Sequence, residues 1–509
     1  MEDRRRSRHL LLLQLLCFLC WFLLPCSGSN GNREAIEIGI GIGIGGSPGI
    51  VIGGSPEPPH SPSSPSRSSP PPPHSSTSPP HRSPTPPHSS TSPPHRSPPL
   101  PHPSSCSNRS PPPQPLRELQ PCDFANILQY RAYKVIQNFR KNITCDPYNI
   151  TATWVGAQIC SKGNTGYCGF YCEGPPDKRN MPTVASVDFN GYYLEAKTVR
   201  GFIDQLPDLA IFHANSNRFG DTVPNLTQLP FFYEIDVSNN LQTGCFPNNV
   251  LSLVNLSFLD LRYNGYSGQV PPSVFDIQTQ VLFLNNNKFN GEIPANLGKT
   301  PANYITFAYN DFTGPIPRSI GQACNTLLEI LFLGNRLSGC LPYEIGLLRN
   351  ATVFDAGSNQ LTGPIPLSFG CLKKVEQLNL AGNMLSGEVP DSVCRLANSK
   401  YGRLVNLSLS GNYFTSVGPS CVGLIGCNVL DVKGNCISGM PGQRPAQDCA
   451  RFQKQAKPVC PTAQYVPCSL QEEELSLEKE GEEARDKAPT VAGYSTYKAL
   501  RPPEGKKNP

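Results

Sequence analysis

The 509-residue sequence contains little charge, because only 16% of its residues are Asp, Glu, Lys or Arg and the net charge is +5. Nucleic-acid-binding domains display a dense basic surface, and beyond the N-terminus no cluster of Lys and Arg provides one. Long apolar runs are also missing after Leu24, whereas a membrane-spanning helix needs about 20 apolar residues. We therefore expect no nucleic-acid partner and no membrane span.

Residues in catalytic arrangements are missing as well. Gly298, Lys299 and Thr300 match the end of a phosphate-binding loop, but Ile293 stands where the first glycine of that motif belongs. His213 has no serine or cysteine nucleophile assignable beside it. The sequence therefore predicts a protein that is not an enzyme and that needs no cofactor or metal.

Cysteine is frequent, and its 20 residues indicate an oxidising compartment. Arginines precede an apolar run from Leu10 to Leu24, and small residues follow as far as Gly28, which is the pattern of a secretory signal peptide over residues 1–28. Cleavage there would leave 17 cysteines, an odd number, so at least one is unpaired or bonded to another chain. A disulfide-linked homodimer is therefore one hypothesis.

Composition divides the remaining chain into segments. A Gly/Ile-rich and then Ser/Pro/His-rich stretch predicts a disordered stalk over residues 29–119. We expect an N-terminal cysteine-containing cap over 120–182, leucine-rich repeats over 183–440, a Cys-rich C-terminal cap or hinge over 441–470 and a charged disordered tail over 471–509. Seven Asn-x-Ser/Thr sequons predict glycans on surface turns, at Asn108, Asn142, Asn149, Asn225, Asn255, Asn350 and Asn406.

The pattern L-x-L-x-x-N-x-L-[ST]-G-x-[IV]-P recurs from residue 183 onward. Its asparagines are Asn217, Asn240, Asn264, Asn287, Asn310, Asn335, Asn359, Asn383, Asn412 and Asn435. They are 23 to 25 residues apart except for one interval of 29, which is the period of leucine-rich repeats. An imperfect coil with Tyr192 at the asparagine position precedes them, so about eleven coils are expected. The predicted fold is an α/β repeat solenoid with a concave parallel sheet and disulfide-bonded caps.

The repeat also predicts the role of individual positions. The leucines at positions 1 and 3 of each coil, such as Leu282 and Leu284, point inward while the residue between them points out. The asparagine amide satisfies backbone groups of adjoining coils. Outward residues form the concave surface, where an apolar cluster on neighbouring coils is flanked by acids, as in a binding site. The expected ligand-binding residues are Asp236, Asp260, Arg262, Tyr263, Phe283, Asn285, Tyr309, Leu331, Leu333 and Asp355. An acidic rim favours a basic ligand, such as a peptide.

Five segments resemble the leucine-rich repeat extensin proteins of plant cell walls. They are ATWVG from Ala152, YEIDVSNN from Tyr233, FLDLRYNGYSGQVP from Phe258, LSGCLPYEIG from Leu337 and VEQLNLAGNMLSGEVP from Val375. The resemblance covers residues 121–460 and implies a plant-type leucine-rich repeat fold, attachment to the wall, and binding of small basic secreted peptides of the rapid alkalinization factor type. In that family the Pro-rich arm usually follows the solenoid, whereas here it precedes it.

Two other non-enzymatic functions remain open. The repeats are similar to those of polygalacturonase-inhibiting proteins, which bind secreted wall-degrading enzymes, although those proteins are generally shorter and lack a Pro-rich stalk. A purely structural wall protein that contacts cell-wall polymers would use the solenoid as a spacer. Binding of a basic peptide by the isolated protein would separate the first function from both alternatives.

Overall fold

The computed structural model describes residues 118–160, 166–398, 402–455 and 459–461. The expected signal peptide, the Pro-rich stalk before residue 118, the sequon at Asn108 and the charged tail lie outside these described residues. No described helix is both long enough and apolar enough to cross a bilayer.

A sheet of twelve strands, here called the main sheet, runs through the repeat region. With all strands numbered in chain order, it contains β2 Phe170–Glu173, β3 Thr183–Asp188, β5 Ile211–His213, β7 Glu234–Asp236, β9 Phe258–Asp260, β11 Val281–Phe283, β13 Tyr304–Thr306, β15 Glu329–Leu331, β17 Val353–Asp355, β19 Gln377–Asn379, β21 Asn406–Ser408 and β23 Leu430–Asp431. β2 is antiparallel to β3, and the strands from β3 to β23 follow one another in parallel. These eleven parallel strands match the number of coils expected from the sequence.

A second, eight-stranded sheet follows the repeat asparagines and was not predicted. Its strands are β8 Thr243–Gly244, β10 Gly265–Gly268, β12 Lys288–Glu292, β14 Asp311–Gly314, β16 Arg336–Cys340, β18 Gln360–Gly363, β20 Met384–Val389 and β22 Tyr413–Val417. A three-stranded sheet contains β1 Ile143–Cys145, β4 Glu195–Ala196 and β6 Arg218–Phe219. Phe289 shows the pattern of the second sheet, because it is buried between exposed Lys288 and Asn290.

Helices cap the repeats and close the coils. The α-helices are α1 Ile127–Asn142, α2 Asp391–Asn398, α3 Pro419–Gly426 and α4 Ala446–Gln453. The 3-10 helices are Pro121–Asp123, Ile150–Thr153, Ile203–Gln205, Asn248–Ser252, Pro272–Phe275, Leu297–Lys299, Arg318–Ala323, Tyr343–Leu347 and Leu367–Cys371. α1 begins where the Asn126 side chain accepts hydrogen bonds from the backbone N–H groups of Leu128 and Gln129.

The repeat asparagines join each coil to the preceding one. The Nδ2 of Asn310 donates to Leu284 O of the preceding coil and to Phe307 O of its own coil, both at 3.0 Å, and its Oδ1 accepts from Phe289 N at 3.0 Å. The other nine asparagines make equivalent bonds. Each amide therefore satisfies backbone groups of two coils, which an apolar side chain could not do.

Disulfides hold both ends of the repeat region, as expected. The pairs are Cys160–Cys172, Cys340–Cys460, Cys394–Cys421 and Cys436–Cys449. Cys145, Cys168 and Cys371 are also disulfide-bonded. Among the cysteines within the described ranges, the free thiols are Cys122, Cys245, Cys324 and Cys427.

Candidate ligand-binding surface

The main sheet presents two rows of outward side chains. In each three-residue strand the middle residue, such as Leu259, lies in the main core, whereas the first and third residues point to the opposite face. The third-residue row, which the sequence predicted, contains His213, Asp236, Asp260, Phe283, Thr306, Leu331, Asp355, Asn379 and Ser408. The first-residue row was missed and contains Ile211, Glu234, Phe258, Val281, Tyr304, Glu329, Val353, Gln377 and Asn406. The first-residue row would have been found by extending the two-residue alternation of each strand to the position just before the first leucine of the coil.

Two apolar residues expected to be exposed on this face are buried. Phe283 is only 3% exposed and Leu331 is 0% exposed. Both belong to small clusters that are separate from the main core, one with Phe258 and Val281 and the other with Ala308 and Val353. Side chains in adjacent strands lie about 4.8 Å apart and cover one another. The expectation that Phe283 and Leu331 meet a ligand directly is therefore wrong.

The expected acidic rim is also largely covered. Asp236, Asp260, Asn285 and Asp355 are all buried, against the expectation of a solvent-facing rim. The cause is local hydrogen bonding, because the carboxylates turn toward their own loops: Asp236 Oδ1 accepts from Ser238 N at 2.8 Å and Asp355 Oδ1 accepts from Gly357 N at 2.8 Å.

Three tyrosines remain accessible on this face. Tyr309 is 45% exposed, and Tyr263 and Tyr304 are half-buried. Tyr304 packs against the Phe258 cluster, and Leu333, also half-buried, packs against the Leu331 cluster. We call Tyr263, Tyr304, Tyr309 and Leu333 the tyrosine patch.

Tyr263 and Tyr309 occupy a backbone conformation that favours glycine. Their φ angles are +53° and +52°, and the same position of the next coil is Gly334, with φ +68°. A bulky residue in this region costs about 1 to 2 kcal/mol. The Tyr309 ring lies over Gly334, where an added Cβ would be 2.7 Å from the ring. The absence of a side chain at residue 334 therefore makes room for the tyrosine.

A charged cluster lies beside the tyrosine patch. His213 Nε2 is 3.1 Å from Glu234 Oε2, and Arg262 Nε is 2.9 Å from Asp260 Oδ2, in an ion pair that is not aligned as a hydrogen bond. The Arg262 guanidinium also lies over the Phe283 ring, 5.5 Å from its centre. We call His213, Glu234, Asp236, Asp260 and Arg262 the acidic cluster.

Burial and neighbouring charges shift the pKa values in this region. Burial raises the pKa of Asp260 to about 8, with Asp236 adding to the shift and Arg262 opposing it. Burial alone would lower the pKa of His213, but its hydrogen bond to Glu234 and the nearby Asp236 and Asp188 charges leave that pKa raised. The pKa of Tyr304 is raised by burial and by Glu329.

The geometry of this face suits recognition. Ring faces and hydroxyl groups from the tyrosine patch lie on the same face as the half-buried carboxylates of Glu234 and Glu329. Among the described residues, no group of three or more His, Cys, Asp or Glu side chains is placed to hold a metal ion. The groups present can bind cations by charge and by ring stacking.

Comparisons with known proteins agree with the repeat pattern. The family model described as Leucine Rich Repeat matches residues 278–300 and 374–396. Leucine-rich repeat extensin-like protein 7 of Arabidopsis thaliana is 38% identical over 241 residues, which cover 46% of this chain and 53% of that protein. Leucine-rich repeat extensin-like protein 1 of the same species is 38% identical over 116 residues, covering 23% of this chain and 15% of that protein. The chain thus matches about half or less of the length of these relatives.

Solved structures with a similar repeat include plant receptor ectodomains. The leucine-rich repeat ectodomain of the receptor kinase GASSHO1/SCHENGEN3 from Arabidopsis thaliana is 26% identical, with a TM-score of 0.43 over 47% of this chain and 28% of that chain. The ectodomain of the Arabidopsis receptor kinase HAESA is 20% identical, with a TM-score of 0.47 over 60% of this chain and 53% of that chain. The curated relatives agree with the motif resemblance, and the repeat region of this chain is similar to that of leucine-rich repeat extensin-like proteins.

Proposed function

We propose that this protein is a secreted, non-catalytic binding module of the plant cell wall that binds a small basic peptide of the rapid alkalinization factor type. The observation that carries the proposal is the tyrosine patch beside the acidic cluster on the outward face of the main sheet. Binding of such a peptide would connect the state of the wall to cell growth.

The chemistry of the face favours a basic ligand. Lysine and arginine side chains stack on tyrosine rings, with a favourable energy of about 0.5 to 2 kcal/mol for each contact. Half-buried Glu329 adjoins Tyr304 in the first-residue row and supplies a charge near the ring. Half-buried Glu234 adds negative potential on β7, the strand next to the coil that carries Tyr263. A cationic side chain that contacts both a tyrosine ring and a carboxylate is stabilised by each contact.

The backbone conformation of Tyr263 and Tyr309 supports a binding role for these two side chains. Tyr263 and Tyr309 lie two coils apart, and the coil between them has Asn286 at φ +57°. Asparagine tolerates the left-handed region better than tyrosine does. Two strained aromatic residues on one exposed face are therefore better explained by binding than by folding.

Calorimetric titration of the full-length protein with a synthetic basic peptide of this type tests the proposal. We expect saturable binding at micromolar peptide. The double variant Tyr263→Asn/Tyr309→Asn should weaken the affinity by about tenfold or more, which is about 1.4 kcal/mol, because it removes both rings while keeping residues that suit the left-handed backbone.

Tyr148→Asn is the matched control, because Tyr148 is also exposed but lies in the N-terminal cap. It should leave the affinity unchanged. Absence of saturable binding by the unaltered protein would overturn the proposed function. Equal losses of affinity in the double variant and in the control would show that the peptide binds elsewhere.

A further inference from the structure

The sequon at Asn406 lies on the outward face of the main sheet and not on a surface turn as expected. Asn406 is the first residue of β21 and is paired in register with Gln377 of β19. It therefore occupies the same row as Phe258 and Tyr304. A group attached to Asn406 would project from the face that carries the tyrosine patch.

The Asn406 side chain is accessible. It is exposed and makes no side-chain hydrogen bond with any residue in the described ranges, and the preceding Val405 is 64% exposed. The sequons at Asn255 and Asn350 differ, because both lie on turns before the strands and donate their amides to Pro230 O at 3.2 Å and Asn325 O at 3.1 Å. Asn406 is thus a sequon on the ligand-facing side with an unengaged amide.

We propose that Asn406 carries an N-linked oligosaccharide that covers the C-terminal end of the outward face and confines a ligand to the coils before β19. The donor is a lipid diphosphate oligosaccharide supplied by the secretory pathway. The C1–O bond from the first sugar to the diphosphate breaks, a C1–N bond to Asn406 Nδ2 forms, the lipid diphosphate leaves, and the amide proton passes to a base of the transferase.

The proposed glycan lies beyond the tyrosine patch along the first-residue row. Asn406 lies four strand spacings from Tyr304 in the same row, a distance of about 19 Å at about 4.8 Å per strand. An oligosaccharide is bulky and hydrated, so it covers Gln377 and Asn379 of the adjacent strand first. The tyrosine patch stays open, whereas the last coils are shielded. The confinement of a ligand rests on the proposed function, but the attachment and the shielding do not.

Peptide mass mapping of the full-length protein, secreted from plant cells, tests the attachment. We expect the peptide that contains Asn406 to carry a glycan that a peptide-N-glycosidase removes. Asn406→Gln and Ser408→Ala should each abolish this modification, whereas Ser408→Thr keeps the sequon and should retain it. An unmodified Asn406 in the secreted protein would overturn the inference.

A ligand-free measurement tests the shielding. Glu376 is exposed, and its carbonyl oxygen accepts hydrogen bonds from Val405 N and Asn406 N, so it lies directly beside the site. Carbodiimide coupling of its carboxylate to a bulky amine should be several-fold faster in Asn406→Gln and in Ser408→Ala than in Ser408→Thr. Exposed Glu388 of β20, in the second sheet, should react equally in all variants. Equal rates at Glu376 in glycosylated and unglycosylated protein would overturn the shielding.

Peptide titration separates this inference from the proposed function. If neither form binds a basic peptide but Glu376 is shielded, the proposed function fails and the glycan shield stands. If Asn406→Gln binds the same peptide several-fold more tightly, the glycan keeps the peptide off the last coils, as inferred. Unchanged affinity in Asn406→Gln would overturn the confinement, whether or not Tyr309→Asn weakens binding.

Discussion

At the scale of single residues, Asp260 is held in an unfavourable environment. It is fully buried, and its pKa is raised to about 8 by that burial. The folded protein therefore holds a proton at pH values where the unfolded chain, with an aspartate pKa near 3.8, has released it. The stability that Asp260 contributes to the folded protein is fully present below the pKa of the unfolded state. It is lost as the pH rises through the pKa of the folded state. The raised pKa of His213 acts with the same sign.

The substitution Asp260→Asn should flatten this pH dependence. The free energy of unfolding of the unaltered protein should fall as the pH rises from about 4 to about 8, and the variant should lose less because Asn does not titrate. Urea denaturation across this range measures both profiles. Parallel profiles would contradict the assigned titration of Asp260, and His213 accounts for any slope that remains in the variant.

The repeat asparagines allow a second prediction at this scale. Asn310→Ala would leave Phe289 N and Leu284 O without the amide that satisfies them in the buried interface between two coils. Each lost buried partner costs about 1 to 3 kcal/mol, so we expect at least that loss in the free energy of unfolding.

Asn290→Ala is the control for this substitution, because Asn290 is exposed on β12. A surface change of this kind is usually within about 0.5 kcal/mol of neutral, and urea denaturation compares the two variants. Similar denaturation midpoints for Asn310→Ala and Asn290→Ala would show that the hydrogen bonds of the repeat asparagine do not limit the stability of the protein.

At the scale of the elements, the sequence predicts what the repeat period dictates. The leucine spacing determines the eleven parallel strands and their register, because each coil repeats the same inward residues. It could not predict that Phe283 and Leu331 are covered, because burial there depends on side chains from neighbouring coils such as Val281 and Val353. The pairing of Cys340 with Cys460 was equally out of reach, since it needs the chain to return from the C-terminal cap to an earlier coil.

That long-range disulfide should contribute more than a short one. Cys340–Cys460 spans 120 residues, whereas Cys436–Cys449 spans 13. By the loop-entropy relation the longer disulfide should stabilise the folded protein by about 1 to 2 kcal/mol more than the shorter one. The disulfides nested inside the longer loop reduce this difference. The two contributions can be compared by replacing both cysteines of each pair with serine and measuring the denaturant midpoint of each double variant.

Limited proteolysis adds a local readout for the same variants. Cys340→Ser/Cys460→Ser should release the segment after α4 for cleavage, because Cys460 contacts the second sheet near Thr362 through the bonded sulfur. Unchanged cleavage together with an unchanged midpoint would show that noncovalent contacts hold this segment.

At the scale of the whole described region, one core runs from the N-terminal cap through every coil. The cap ends this core with an aromatic stack in which Phe139 of α1 lies parallel to Phe202, at 4.0 Å between ring centres, and edge-on to Phe219 at 6.0 Å. A repeat coil buries its apolar faces only against its neighbours, so the first coil depends on this cap.

The substitution Phe139→Ala should therefore destabilise the solenoid from one end. Removing a buried phenylalanine costs about 3 to 5 kcal/mol, and nearest-neighbour coupling should concentrate the loss in the cap and first coils. Hydrogen exchange should accelerate in β3 and β5 and change little in β21, while Ile127→Ala, a change at an exposed site on the same helix, should leave all three unchanged. Equal acceleration in β3 and β21 would instead show that the coils unfold as a single unit, so that damage to the cap would reach the strands of the tyrosine patch and β21 alike.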